Sequence, residues 1–338
     1  MQWIYHLIFL ACVFLTTLVL TGVLLRLLHR YTILDYPNQR SSHSTPTPKG
    51  AGIVVIGCIS ISWIIAAWTT QIAGGVLVAI IAALALAILS WFDDIRGISP
   101  IWRLLSQISI VTVVLFIAWS WPNSEFNFLG DLLPLALVYL FIGLIWVWFI
   151  NLFNFMDGID GISGIETVSI GIGIALVVLV AGLEPILAIL GLALSASALG
   201  FLVWNWQPAK IFLGDVGSIP LGFLLGWLLL QLAVSGQWVS ALILPLYYIA
   251  DTSIILLRRG LRGEKVWQSH NEHFYQQAVL HGLSHAKVAF YVFLANVSLI
   301  IFATTAAIGW SWPSLICAVV VVLILIFIFS ARRVSGKS

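Results

Sequence analysis

Charge is what this sequence has least of. Asp, Glu, Lys and Arg make up 8% of its 338 residues, against roughly a quarter in a soluble domain. A chain so poor in charge cannot clothe a water-soluble fold, and no polar stretch is long enough for a separate soluble domain. Cysteine is scarce as well. Cys12, Cys58 and Cys317 lie far apart, each inside an apolar run, which excludes a disulfide framework and a zinc set and leaves three small buried hydrophobes. A net charge of +2 alone says nothing about a nucleic-acid partner, and none is expected. The first apolar segment lacks basic residues before it and a small-residue cleavage site after it, so it reads as a transmembrane helix rather than a signal peptide.

What is present is hydrocarbon. Hydrophobic residues form 61% of the chain, in repeated runs long enough to cross a core ~30 Å thick. Spans are expected near 3–25, 51–69, 75–92, 103–120, 131–151, 163–182, 185–204, 217–234, 239–257, 287–308 and 312–330. The fold class is therefore all-α, a polytopic membrane protein of about eleven helices forming one integral domain over residues 1–338. With these spans, all fifteen Lys and Arg residues fall on one side, and the opposite loops carry none. The positive-inside rule puts that side, and the C-terminus, in the cytoplasm and the N-terminus outside.

The residues capable of chemistry sort to the same face, in inner loops near 27–50, 93–102, 152–162, 205–216 and 258–286. The first contains Arg40, Lys49, Gly50 and Gly52, which suit a phosphate but equally make a linker with positive-inside charges. The second opens on Asp93-Asp94 at the end of a span. Adjacent carboxylates near a low-dielectric boundary call for a cation, from a metal or from Arg96 and Arg103. Only one of them is expected to face a given ligand. The third is the densest: on a helix, Asn151, Asn154 and Asp157 fall at i, i+3 and i+6, followed by Gly158, Asp160 and Gly161. Amide and carboxylate oxygens suit a hard cation such as Mg2+, although Asn, Asp and Gly also build ordinary tight loops. Glu166, just beyond, reads as structural. The fourth reads Gly214-Asp215-Val216-Gly217-Ser218, either a cation-reaching carboxylate beside free amides or a turn and cap. The fifth carries Arg258, Arg259, Arg262, Lys265, His270, His273, His281 and His285. His270 and His273 are spaced i, i+3, a poor match to a helical zinc pair at i, i+4, so the cluster suits an anion or lipid headgroups. Asp251, two turns inside a span, is either functional by default or paired to a neighbouring helix.

Taken together, Asp93-Asp94, the Asn151-x-x-Asn154-x-x-Asp157-Gly-x-Asp160-Gly run, Pro208-Ala-Lys-Ile-Phe-Leu-Gly-Asp215-x-Gly-Ser and a His-bearing last inner loop stand in an order that resembles the polyprenyl-phosphate N-acetylhexosamine-1-phosphate transferases. These are the MraY/WecA-like enzymes of glycosyltransferase family 4. Arg40-Ser-Ser-His43, Pro46-Thr-Pro-Lys-Gly and the region from Ser269-His270 to Phe274-Tyr275-Gln276 resemble its O-antigen-initiating branch. Two departures stand out: no third acidic residue follows Asp93-Asp94, where Ile95-Arg96-Gly97 stands, and His270-Asn-Glu-His273 replaces a run of consecutive His.

The resemblance implies transfer of an N-acetyl-aminosugar-1-phosphate from a UDP-sugar to undecaprenyl phosphate, releasing UMP, at the cytoplasmic face of a bacterial inner membrane. It implies Mg2+, with Mn2+ as a substitute, held by Asn154 and Asp215 with Asp157 as an outer or alternate ligand. It assigns Asp93, Asp94 and Asp157 to catalysis and Arg103 and Lys49 to the carrier phosphate. Asn151, Asp160, Arg262, His270 and His273 fall to the nucleotide-sugar. A homodimer is compatible with it. The competing class, a transporter or channel, would carry polar residues through to both faces. A lipid phosphatase would need a nucleophile and general acid of its own. The one-sided polar face disfavours the first, and no such constellation stands out for the second.

Overall fold

The structure, a computed structural model, describes residues 2–31, 34–35, 45–70, 74–119, 134–265 and 270–331. Arg40, His43 and Ser269, part of the resemblance above, lie outside them. The helices are α1 (Gln2–Arg30), α2 (Gly52–Thr70), α3 (Gly74–Arg96), α4 (Pro100–Trp119), α5 (Leu135–Phe155), α6 (Ile162–Ala181), α7 (Pro185–Asn205), α8 (Asp215–Leu232), α9 (Trp238–Ile243), α10 (Leu246–Leu261), α11 (Phe274–Leu280), α12 (His285–Ala307) and α13 (Ser311–Ser330). A two-stranded antiparallel ribbon, β1 (Leu34–Asp35) and β2 (Thr47–Pro48), pairs Leu34 with Pro48 and Asp35 with Thr47.

Ten helices among the described residues are long and apolar enough to cross a membrane. The expected span at 239–257 is where the structure differs. A π-helical turn at Ala233–Gln237, with Gly236 at φ 89°, links α8 to the six-residue α9. The chain then breaks at Pro245, the residue before α10. α10 is amphipathic, burying Tyr247, Tyr248 and Asp251 while exposing Leu257 and Leu261. Mean hydropathy hides such a break, because the apolar residues of α9 and α10 average with Asp251, Arg258 and Arg259.

α8 is the hub, with nearly all its side chains buried. It packs on α2, α3, α5 and α6, while outer helices expose residues such as Phe116, Leu179 and Phe327. That exposed belt suits lipid rather than water. Inside, indole N–H groups bridge helices: Trp146 donates to Phe223 O at 3.0 Å and Trp63 to Leu190 O at 3.0 Å. With hydrocarbon on both sides, such bonds and close packing hold helices together better than burial does. At one end, α2 and α8 begin in contact. A Cβ on Gly52 would collide with the backbone of Gly217, so only Gly allows this approach. The close start lets the N–H groups of Gly50, Ala51 and Gly52 donate to Phe212 O and Leu213 O at 2.9–3.0 Å. Orphan amides at the start of α2 are thereby satisfied, and Lys49 is fixed beside Asp215.

Candidate active site

All five of the loops that carry the chemistry-capable residues meet at this end around a cavity of about 750 Å3. Lys49, Arg103, Asn151, Asn154, Asp157, Asp160, Asp215, His270 and His273 line its polar part, and Leu104, Leu144, Val147 and Trp148 form an apolar wall along α4 and α5. Arg103, from the first turn of α4, is the centre of the charge network. Its guanidinium contacts Asp93 Oδ2 at 3.1 Å, Asp215 Oδ2 at 3.2 Å and Asn154 Oδ1 at 3.3 Å. Asn154 in turn donates its Nδ2 to Asp215 Oδ1 at 3.1 Å and to Ser218 Oγ at 2.8 Å. Asp215 opens α8 after Gly214, whose φ of 77° needs glycine. A carboxylate at this helix start also complements the helix dipole.

Asp93 and Asp94 do not line the cavity; each holds a cation that does. Asp93 Oδ1 accepts from Ile98 N at 2.6 Å and its other oxygen holds Arg103. Asp94 holds Lys49 Nζ at 2.7 Å and accepts from Val216 N at 3.4 Å. Burial alone would lower the pKa of Lys49, but Asp215 and Asp94 outweigh it and raise it, so the ammonium is fixed.

α5 ends at Phe155, so Asp157 is not on the helix that carries Asn151 and Asn154. It sits in the following turn and still faces the cavity. Burial pushes its carboxyl up to about 6. A folded-state pKa above the usual 3.8 means the native state holds that proton more tightly than the unfolded chain. The contribution to stability is therefore full below pH 4 and lost as pH rises through 6. With divalent ions chelated, D157N should out-melt the wild type at pH 8 by on the order of 2 kcal/mol. The gain should vanish near pH 4; a pH-independent difference would contradict the burial argument.

Asn151 spends its Nδ2 on Gln107 Oε1 at 2.6 Å and Val147 O at 2.8 Å. Asp160 is a clasp, contacting His285 Nδ1 at 3.2 Å and accepting from Ala209 N at 3.1 Å. Arg262 lies outside the cavity, half exposed and paired with Glu264 and Glu272.

Asp251, fully buried on α10, is a residue whose role the sequence left open. It accepts from His273 Nδ1 at 2.8 Å, Tyr247 Oη at 3.0 Å and the N–H groups of Phe274 and Tyr275 at 3.3 Å. The carboxylate thus ties α11 to α10 and commits His273 Nδ1 as a donor, leaving Nε2 for the cavity. His273 is also stacked between His270 and Tyr275, with ring centroids 4.8 and 5.7 Å away. D251N, which mispairs an amide N–H with these donors, should cut turnover at least about tenfold. Unchanged turnover would show that His273 needs no such orientation. His285, Ser218 and Gln107 complete the polar shell; the first two stood in the fifth and fourth loops without an assigned role, and no local motif marked Gln107, whose partner Asn151 lies 44 positions away.

Hard oxygens converge at this site. Asn154 Oδ1 and Asp215 Oδ2 both turn to the one guanidinium, so a positive charge already stands where they meet. That donor set fits Mg2+. No group of three His, Cys, Asp or Glu side chains among the described residues could hold a metal.

Residues 76–233 match the model of glycosyl transferase family 4. A probable undecaprenyl-phosphate N-acetylglucosaminyl 1-phosphate transferase of Bacillus subtilis (strain 168) is 25% identical over 328 residues, covering 95% of this chain and 90% of that protein. A phospho-N-acetylmuramoyl-pentapeptide-transferase of Streptococcus pneumoniae (strain Hungary19A-6) is 27% identical over 233 residues, 66% of this chain and 70% of that one. The chain is thus similar to glycosyl transferase family 4 over just under half of its length. The matched segment runs from α3 to the π turn after α8. It thus includes Asp93, Asp94, Arg103, Asn154, Asp157 and Asp215. Lys49, Asp251 and His273 lie outside that segment but inside the length shared with the Bacillus relative's near-full alignment.

Proposed function

We propose that this chain is a family 4 transferase that moves an N-acetyl-aminosugar-1-phosphate from a UDP-sugar to undecaprenyl phosphate at the cytoplasmic face of a bacterial inner membrane. The product would open the synthesis of a cell-surface polysaccharide, with O-antigen the reading suggested by the sequence. One observation carries this reading: Asp93, Asp94 and Asp215 pair with Lys49 and Arg103 at the head of a cavity that Asp157 also lines and that has an apolar wall. Such a site repels anions unless a divalent ion joins it, and it places a phosphate where a lipid tail can lie along α4 and α5. The Bacillus relative's name supports undecaprenyl phosphate as acceptor and an N-acetylhexosaminyl 1-phosphate as the group transferred.

Mg2+, with Mn2+ as a substitute, would be held by Asn154 and Asp215, with Asp157 as an outer ligand, and would neutralise charge on the diphosphate. Arg103 and Lys49 bind phosphate oxygens, and their carboxylate partners keep them aimed into the cavity. A lipid-phosphate oxygen attacks the β-phosphorus in line. The bond from that phosphorus to the oxygen of UMP breaks, and UMP leaves with the bonding electrons. A phosphate monoester is largely ionised near neutral pH, so positioning and charge stabilisation suffice. His273, set by Asp251, and His270 beside it meet the nucleotide-sugar. The apolar wall excludes water from the lipid side.

A panel of UDP-N-acetyl sugars, each assayed for UMP release with undecaprenyl phosphate, tests the reading and selects the sugar. One donor should exceed the others by at least about tenfold. Absence of turnover with every donor would overturn the substrate class.

A further inference from the structure

Beneath the active site lies a second, enclosed group of oxygens that the transfer reaction does not use. Nine buried side-chain polar atoms among the described residues make no hydrogen bond, and six belong to Ser163, Glu166, Thr167, Tyr248, Thr252 and Asn296. Such orphans are rare in native proteins and mark water or an ion. Ser163, Glu166 and Thr167 share one face of α6 at i, i+3 and i+4, and Tyr248 and Thr252 share one face of α10 at i and i+4. Asn296 of α12 reaches across to donate its Nδ2 to Glu166 Oε2 at 2.8 Å. The Tyr248 hydroxyl lies beside Ser163 and within electrostatic reach of Glu166 and Asp157.

Glu166 is fully buried, its Oε1 has no partner, and no ion pair among the described residues includes it. An uncompensated carboxylate in such surroundings is costly and needs a proton or a counter-ion. We propose that this pocket binds a monovalent alkali cation, held by the Glu166 carboxylate with the oxygens of Asn296, Tyr248, Ser163, Thr167 and Thr252 as its neutral ligands. Charge decides the class. One carboxylate and otherwise neutral oxygens balance a single positive charge, whereas a divalent ion would leave a surplus charge among apolar helices. The oxygens are hard donors suited to an alkali ion rather than to a transition metal. The Ser163 hydroxyl lies beside Asp157, which lines the cavity, so this group of oxygens adjoins the active site. The bound ion would brace α6, α10 and α12, the helices that carry the turn of Asp157 and the His273 loop.

The test reads melting of purified protein, not turnover, so it stands apart from the transferase reading. Melting is compared in NaCl, KCl and choline chloride at equal ionic strength, with divalent ions chelated. The wild type should melt about 3 °C higher, saturably, in at least one alkali salt than in choline. E166Q should lose that difference. N296A and Y248F should raise the half-saturating concentration at least about tenfold, and they serve if E166Q does not fold. Equal melting in all three salts, or an alkali effect that survives in E166Q, N296A and Y248F alike, would overturn the site in favour of a protonated Glu166 bridged by water. The choice between Na+ and K+ follows from which salt saturates at the lower concentration.

Discussion

D215N should abolish UMP release to within a thousandth of the wild-type rate while leaving the protein folded. The side chain keeps its shape, and Asn154 Nδ2 can still donate to an amide oxygen at the position now 3.1 Å away. What disappears is the negative charge facing Arg103 at 3.2 Å and, on the proposed reading, the one anionic ligand of the divalent ion. Removing a single preorganised electrostatic group costs about 10²–10³ in turnover, and loss of the ion that neutralises two anionic substrates adds to it. N154A should approach the same loss by a different route, since Asn154 is neutral and supplies only an oxygen and an amide. Excess Mg2+ should rescue N154A partly and D215N hardly at all. Wild-type turnover in D215N would remove Asp215 from the chemistry.

R103A is expected to separate the two substrates. Arg103 spans Asp93, Asp215 and Asn154 with one planar group and stands next to Leu104 at the foot of the apolar wall. A carrier phosphate whose tail follows that wall meets Arg103 first. The apparent requirement for undecaprenyl phosphate should therefore rise about a hundredfold, with that for UDP-sugar changing much less. R103K should recover only part of the loss, because an ammonium is a point charge and cannot bridge three partners at once. If the UDP-sugar requirement alone moved, Arg103 would serve the donor and the lipid would enter elsewhere. R103A should also melt lower than the wild type, because Asp93 and Asp215 lose their shared cation.

Most of the fold was legible because hydrocarbon length alone decides a membrane helix: α1 to α8, α12 and α13 fall where long apolar runs stand. The stretch 239–257 was not, since Pro245 and the polar face of α10 act on geometry without lowering the average apolarity enough to be seen. α11 was illegible for another reason. Its first amides are satisfied by Asp251, 23 and 24 positions upstream, and its capping box joins His273 to Gln276. At the site, residue types were readable but their company was not. Asn154, Asp157 and Asp215 offered the right oxygens, yet only the packing of α5 against α8 sets Asn154 against Asp215. The paired aspartates were expected to present one carboxylate to a ligand, whereas both are turned to Lys49 and Arg103. Glu166 passed for an ordinary helix residue, because its lack of a charged partner is a property of three helices and of no local sequence.

The proposed transfer is defined by which bond of the donor is broken. Purified protein, undecaprenyl phosphate and UDP-N-acetylglucosamine (or the preferred donor from the panel) carrying 32P in the β-phosphate decide it directly. Label should move into the lipid extract, one equivalent for each UMP released, and the transfer should stop on chelation of divalent ions. Label remaining in water as UDP, or a lipid that gains sugar without phosphorus, would contradict it.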